Sequence, residues 1–160
     1  MSKVYWVTGI SGVGKTTFAK ILQKELKNKK IKSIIIDGDE IRKILNKQDQ
    51  YEKKDRIDLA MIYSKLAKLY SEQGITVIVS TISLFKKVHL WNRENLKNYV
   101  EILIKRDISE IIKNDIRNIY DEDNIVGKSI EAEYPENPEF TLNNIDINGI
   151  KNFIKMNIVG

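Results

Sequence analysis

The chain has 160 residues, 42% of them hydrophobic and 31% charged, which is enough apolar content for one core and suits a single domain spanning 1–160. It contains no cysteine, which excludes disulfides, thiolate metal sites and a cysteine nucleophile and agrees with a reducing compartment, so the cytoplasm is the expected location. The 27 basic against 22 acidic residues leave a formal charge of +5 that favours anionic ligands, but the lysines are scattered, so no nucleic-acid polymer is expected as a partner.

In chain order, Val4 to Thr8 is a short β-rich run ending at Gly9, and apolar residues then fall at Phe18, Ala19, Leu22 and Leu26 with helical spacing. Ile34 to Ile36 is an unbroken apolar run of the kind that forms a parallel strand buried on both faces, and it stops at Asp37-Gly38-Asp39, so the strand delivers carboxylates at its C-terminal end. From Arg56 to Gln73 the positions Leu59, Ile62, Tyr63, Leu66, Leu69 and Tyr70 predict an amphipathic helix stopped by Gly74. A third strand is expected at Ile75 to Val79, a helix through Trp91 to Leu96, and a fourth strand at Tyr99 to Ile104. Residues 107–120 look helical, whereas 121–138 hold Gly127, Pro135, Pro138 and many charges and read as a loop with freedom to move. A short strand Glu139 to Leu142 and a helix near Gly149 to Met156 complete the chain. No apolar run approaches the ~18 residues of a membrane span and no apolar leader opens the chain, so no membrane partner is expected.

Strands alternating with helices imply a mostly parallel sheet with ligands at the strands' C-terminal ends. At the end of the first strand, Gly9-Ile10-Ser11-Gly12-Val13-Gly14-Lys15-Thr16 satisfies G-x-x-x-x-G-K-[ST], in the strand-then-helix context that gives the motif its meaning. Its backbone amides and the following helix N-terminus suit phosphate oxygens. Lys15 suits the β- and γ-phosphates of ATP, and the Thr16 hydroxyl suits Mg²⁺. The fold expectation is therefore a P-loop NTPase-type three-layer α/β fold with a short lid loop. A GTPase would need a base-reading Asn-Lys-x-Asp segment after a later strand, and neither Thr76 to Thr81 nor Glu101 to Asp107 contains one. Large ATPase machines use longer chains, so a small-molecule kinase fits best.

At the end of the second strand, Asp37 and Asp39 project toward the γ-phosphate position: Asp37 suits Mg²⁺ and Asp39 the proton of an attacking hydroxyl. A plain strand-ending Asp-Gly turn is the alternative.

Here the chain resembles the adenylylsulfate kinase family, which phosphorylates the ribose 3′-hydroxyl of adenylyl sulfate. Gly9 to Thr17 is similar to the family's G-L-S-G-S-G-K-S-T, and Asp37-Gly38-Asp39-Glu40-Ile41-Arg42 to its D-G-D-N-V-R. Val77 to Ser83 resembles V-I-V-S-F-I-S, and Tyr134-Pro135-Glu136-Asn137-Pro138 resembles P-P-E-N-P. The resemblance implies that Gly9, Ser11, Gly12, Val13, Gly14, Lys15, Thr16 and Thr17 bind ATP. It also implies that Asp39, Arg42, Arg56, Ile82 and Ser83 meet the acceptor, with Tyr51 where the family stacks a Phe on the base. Two guanidinium forks, Arg42 and Arg56, suit an anionic end group on the acceptor, although each could instead be a surface ion-pair partner.

Departures from the family lie on the acceptor side. Leu59 replaces an Asn, Leu84 and Lys86 replace a Pro and an Arg, and the lid is shortened by about six residues, judged by the alignment to the family pattern. That alignment puts Arg117 at a family Lys and leaves Ile125 where a second base-stacking Phe would sit. These changes favour the branch of the family that takes cytidine diphosphoramidate, in capsule assembly, with adenylyl sulfate as the alternative acceptor. A non-catalytic ATP-sensing module and a kinase for another small alcohol are the competing classes, and a homodimer is compatible with all of these. His89 is expected at the surface or in packing, and Trp6 and Trp91 in the core.

Overall fold

The computed structural model describes residues 1–49, 52–113 and 125–160. Its elements run β1 (Val4–Thr8), α1 (Lys15–Asn28), β2 (Ser33–Asp37), α2 (Gly38–Ile44), α3 (Lys53–Glu72), β3 (Thr76–Ser80), α4 (Lys86–Asn95), β4 (Tyr99–Lys105), α5 (Ile108–Lys113), β5 (Phe140–Asn143) and α6 (Ile147–Asn157). The five strands form one sheet in the order β2-β3-β1-β4-β5, and every pairing is parallel. Central strands buried on both faces need unbroken apolar runs, and β1 and β3 are buried along their whole length.

α1 presents Phe18, Ala19, Leu22 and Leu26 to the sheet and packs on α6, where Phe153 meets Phe18 at 6.2 Å between ring centroids and Phe140 edge-on at 5.1 Å. α3 packs against β3, β1 and α4. Helix pairs α1/α6 and α3/α4 thus enclose the sheet, in agreement with the three-layer α/β expectation. Trp6 is fully buried in this core, whereas Trp91 is half-buried at its margin.

Three local readings are decided. Asp37-Gly38-Asp39 is not a turn but the start of α2: the Asp37 carboxylate caps the helix by accepting from the Asp39 amide at 3.0 Å. Leu59 is only 2% exposed and belongs to the core between α3 and the sheet, in agreement with its place on the apolar stripe. Of the two places expected for His89, surface or packing, it takes the packed one, its Nδ1 lying 2.9 Å from the Glu101 carboxylate and its Nε2 3.2 Å from the Glu133 carbonyl. Within the expected loop, described residues 125–138 hold a single β-bridge, Val126 to Ile130, turned at Gly127 with φ 92°. Residues 114–120, expected to be helical, lie outside the described residues.

Candidate functional site

The sheet delivers three chain segments to one place. The loop after β1 supplies Ser11, Gly12, Gly14, Lys15, Thr16 and Thr17, the end of β2 supplies Asp37, Gly38 and Asp39, and the segment after β3 supplies Ser80 to Ser83. With Arg42 from α2, Arg56 and Tyr63 from α3, Phe85, Ile125 and Val126, they line a cleft of about 580 Å³. Of the residues singled out in the sequence, Gly9 and Val13 stand behind this wall. Val13 is in the core, and a Cβ at Gly9 would lie 2.4 Å from the Ile104 carbonyl oxygen, so only glycine lets the loop pass β4. Tyr51 and Arg117 lie outside the described residues.

α1 begins with a left-handed Gly14 (φ 103°) and has neither a side-chain cap nor an acidic residue in its first turn. The amides of that turn, which have no acceptor within the helix, and the positive end of the helix dipole face the cleft, an arrangement that suits phosphate oxygens. The Lys15 ammonium donates to the Ile10 carbonyl at 2.7 Å, which holds it over its own loop. Thr16 Oγ1 donates to Asp37 Oδ2 at 2.9 Å and lies 3.5 Å from Ser80 Oγ. A hydroxyl and a carboxylate this close form a hard-oxygen donor pair that could hold Mg²⁺. Among the described residues no cluster of three or more acidic, histidine or cysteine side chains could hold a metal by itself, which fits an ion that keeps waters and phosphate oxygens in its shell.

On the opposite wall, Asp39 stands exposed on the first turn of α2. Arg42 reaches the Lys47 carbonyl at 3.4 Å, and Arg56 is only 9% exposed at the start of α3. The floor is fixed to β1: the Thr8 hydroxyl donates to the Ile82 carbonyl, and the Thr81 amide donates to the Val7 carbonyl at 3.1 Å. Ser83 sits at φ 32°, with its hydroxyl 2.8 Å from that of Thr81. Sequence reasoning missed Tyr63, Ser80, Thr81, Phe85 and Val126. The spacing of Tyr63 fits the apolar stripe of α3, and its hydroxyl donates to the Gly38 carbonyl at 3.1 Å.

A family model described as adenylylsulphate kinase matches residues 1–143. The cytidine diphosphoramidate kinase of Campylobacter jejuni subsp. jejuni is 39% identical over 159 residues, covering 96% of this chain and 92% of that protein. An adenylyl-sulfate kinase of Pseudomonas aeruginosa is 30% identical over 150 residues, covering 89% and 76%. Among solved structures, the Mycobacterium tuberculosis APS kinase in complex with AMPPNP and APS superposes with a TM-score of 0.86 over 96% of both chains; at 23% identity it shows likeness of fold. A model match across most of the chain and relatives at this identity and coverage establish that the chain belongs to the adenylylsulfate kinase family.

Proposed function

We propose that this domain, residues 1–160, transfers the γ-phosphoryl group of Mg-ATP to the ribose 3′-hydroxyl of cytidine diphosphoramidate, in the cytoplasm where ATP is supplied. The observation that carries the reading is the pairing of a phosphate-type loop with an acidic and guanidinium-bearing wall across one cleft, in a chain 39% identical to a kinase of that name.

Gly12, Gly14, Thr17 and the α1 N-terminus hold the triphosphate, and Lys15 neutralises charge on the transferring group. Thr16 and Asp37 would hold Mg²⁺, which would supply positive charge against the developing negative charge of the phosphate chain. Asp39 accepts the proton of the 3′-hydroxyl as its oxygen bonds to the γ-phosphorus and the bond to ADP breaks. Arg42 and Arg56 grip the terminal phosphoryl group of the acceptor. Ile82 and Ser83 shape the floor beneath the acceptor.

The base preference follows from the wall. Ile125 lines the cleft as an aliphatic surface, and the aromatics among the described lining residues, Tyr63 and Phe85, are 2% and 1% exposed. One stacking face on a base is worth ~1–3 kcal/mol by analogy with single-strand binding, up to about a hundredfold in affinity, and a purine loses more of it than a pyrimidine does. The test is a steady-state comparison of cytidine diphosphoramidate and adenylyl sulfate with ATP and Mg²⁺. A higher kcat/KM for the cytidine compound is expected, whereas equal or better use of adenylyl sulfate would return the chain to sulfate activation.

A further inference from the structure

We propose that Tyr63 is a positioning residue, whose buried hydroxyl fixes the Gly38–Asp39 peptide and so aims the Asp39 carboxylate at the acceptor hydroxyl. The inference rests on the reading of Asp39 as the base and adds the group that orients it.

The Gly38 carbonyl and the Asp39 amide belong to one planar peptide unit, so holding both edges fixes the rotation of that plane. Asp37 Oδ1 takes the amide at 3.0 Å and the Tyr63 hydroxyl donates to the carbonyl at 3.1 Å. Rotation of this plane swings the Cα–Cβ bond of Asp39, which is exposed and therefore not aimed by packing of its own side chain. Asp37 holds the amide edge, and the carbonyl edge, at the first residue of α2, is shared between the helix backbone and the hydroxyl of the Tyr63 side chain. The unit is also wedged: a Cβ at Gly38 would lie 3.1 Å from Thr81 Oγ1 and 3.5 Å from Tyr63 Cε2, so glycine lets α2 seat between the β3 end and α3.

Tyr63 lies two turns along α3 from Arg56, on the buried face of that helix, which gives α3 two duties in one cleft. Tyr63 is 2% exposed, too enclosed to serve as an open acceptor contact. Burial pushes its pKa up, with Arg42 and Arg56 pulling down and Asp39 and Asp37 pushing up, so the phenol stays a donor through the neutral range. A phenylalanine would fill the same volume; the hydroxyl is what the packing does not require.

Tyr63→Phe therefore isolates the proposal. Misplacing a reacting group by about 1 Å costs up to ~10²-fold, and loss of one of the two side-chain anchors is expected to lower kcat about tenfold. Acceptor and ATP KM should stay within about twofold, and the melting temperature within a few degrees. In an Asp39→Asn background the same substitution should add almost nothing, because there is no base left to aim. Three results would overturn the proposal: unchanged kcat, a defect confined to acceptor KM, or a full tenfold loss added to that of Asp39→Asn. Near-normal turnover of Asp39→Asn alone would sink the base assignment and this proposal together. A crippled Asp39→Asn beside a normal Tyr63→Phe would leave the base assignment standing and remove only the proposal.

Discussion

Glu101 is a carboxylate in the middle of β4 and is 1% exposed, so its replacement gives a sharp test of how the structure is held behind the cleft. Its oxygens accept from the Tyr99 hydroxyl at 2.8 Å and from Arg93 Nη2 at 2.9 Å, and His89 Nδ1 lies at 2.9 Å. Arg93 continues to Glu139 and to the Asn137 carbonyl, and His89 to the Glu133 carbonyl, so one buried charge joins α4, β4 and the 133–139 segment. Glu101→Ala leaves two enclosed donors without their partner, at about 1–3 kcal/mol each. Arg93 is 35% exposed and keeps Glu139, so its share is small after solvent screening. The total is on the order of 3–5 kcal/mol, which at ~2–4 °C per kcal/mol for a chain this size lowers Tm by about 10 °C. Urea and thermal melts followed by circular dichroism measure it, and a loss below ~1 kcal/mol would refute the network's role. The pH dependence carries a second check. Burial alone would raise the Glu101 pKa, but His89, Tyr99 and Arg93 more than offset it and hold it below its ordinary 4.5. A depressed folded pKa means stability present above the unfolded value and lost as pH falls through the folded one. Wild type should therefore lose stability more steeply below about pH 4.5 than Glu101→Gln does, and parallel acid profiles would contradict the assignment.

Lys15→Ala should lower turnover by ~10²-fold or more with an unchanged circular dichroism spectrum, and a much smaller loss would separate the loop from the chemistry. Asp39→Asn should lower kcat by at least ~10²-fold with acceptor KM nearly constant, whereas Asp37→Asn should shift the Mg²⁺ dependence and, because asparagine caps a helix about as well as aspartate, leave the urea midpoint nearly unchanged. Arg56→Lys keeps the charge but loses the planar fork, so acceptor KM should rise about tenfold while ATP KM stays put; equal rises in both would remove Arg56 from the acceptor side.

Most strands were legible from unbroken apolar runs: burial on both faces forces one in Val77 to Val79, whereas Ile34 to Ile36, expected to be buried on both faces, lies on the edge strand β2, where only Ile36 is buried. The phosphate loop was legible because its geometry demands glycine at fixed offsets. α2 was not: Asp-Gly carries a strong turn signal, and only the Asp37 carboxylate folding back on the Asp39 amide turns the same residues into a helix start. Tyr63 fitted an apolar stripe equally well with or without its hydroxyl, and the carbonyl it meets lies 25 residues away, beyond any local pattern. Glu101 left a faint trace, a charge inside the run Tyr99 to Ile104, but its partner His89 lies 12 residues back on another element and could be paired with it only after α4 and β4 were packed. Leu59 was legible from spacing alone: it stands where the family has an Asn, yet its place on the apolar face of α3 puts it in the core.

The strand order explains why the cleft has the width it has. β1, which carries the phosphate loop, and β2, which carries Asp37, are not neighbours; β3 lies between them, with Ser80 level with both Val7 and Asp37. Parallel strands stand ~4.8 Å apart, so the two chemical halves start about 10 Å from each other, too far for a residue at the end of β1 to touch Asp37. α1 closes part of the distance by carrying Thr16 over the end of β3, within 2.9 Å of Asp37 and 3.5 Å of Ser80. The space left above β3 is bounded on one side by the α1 N-terminus and on the other by Asp39. A phosphoryl group meeting a hydroxyl needs a gap of that kind, and the side chain that ends β3 decides whether it stays open. Serine at 80 keeps it open, whereas a branched or aromatic residue at the same register position would fill it. The requirement for a small residue there comes from the crossover topology, independently of any chemistry the Ser80 hydroxyl performs.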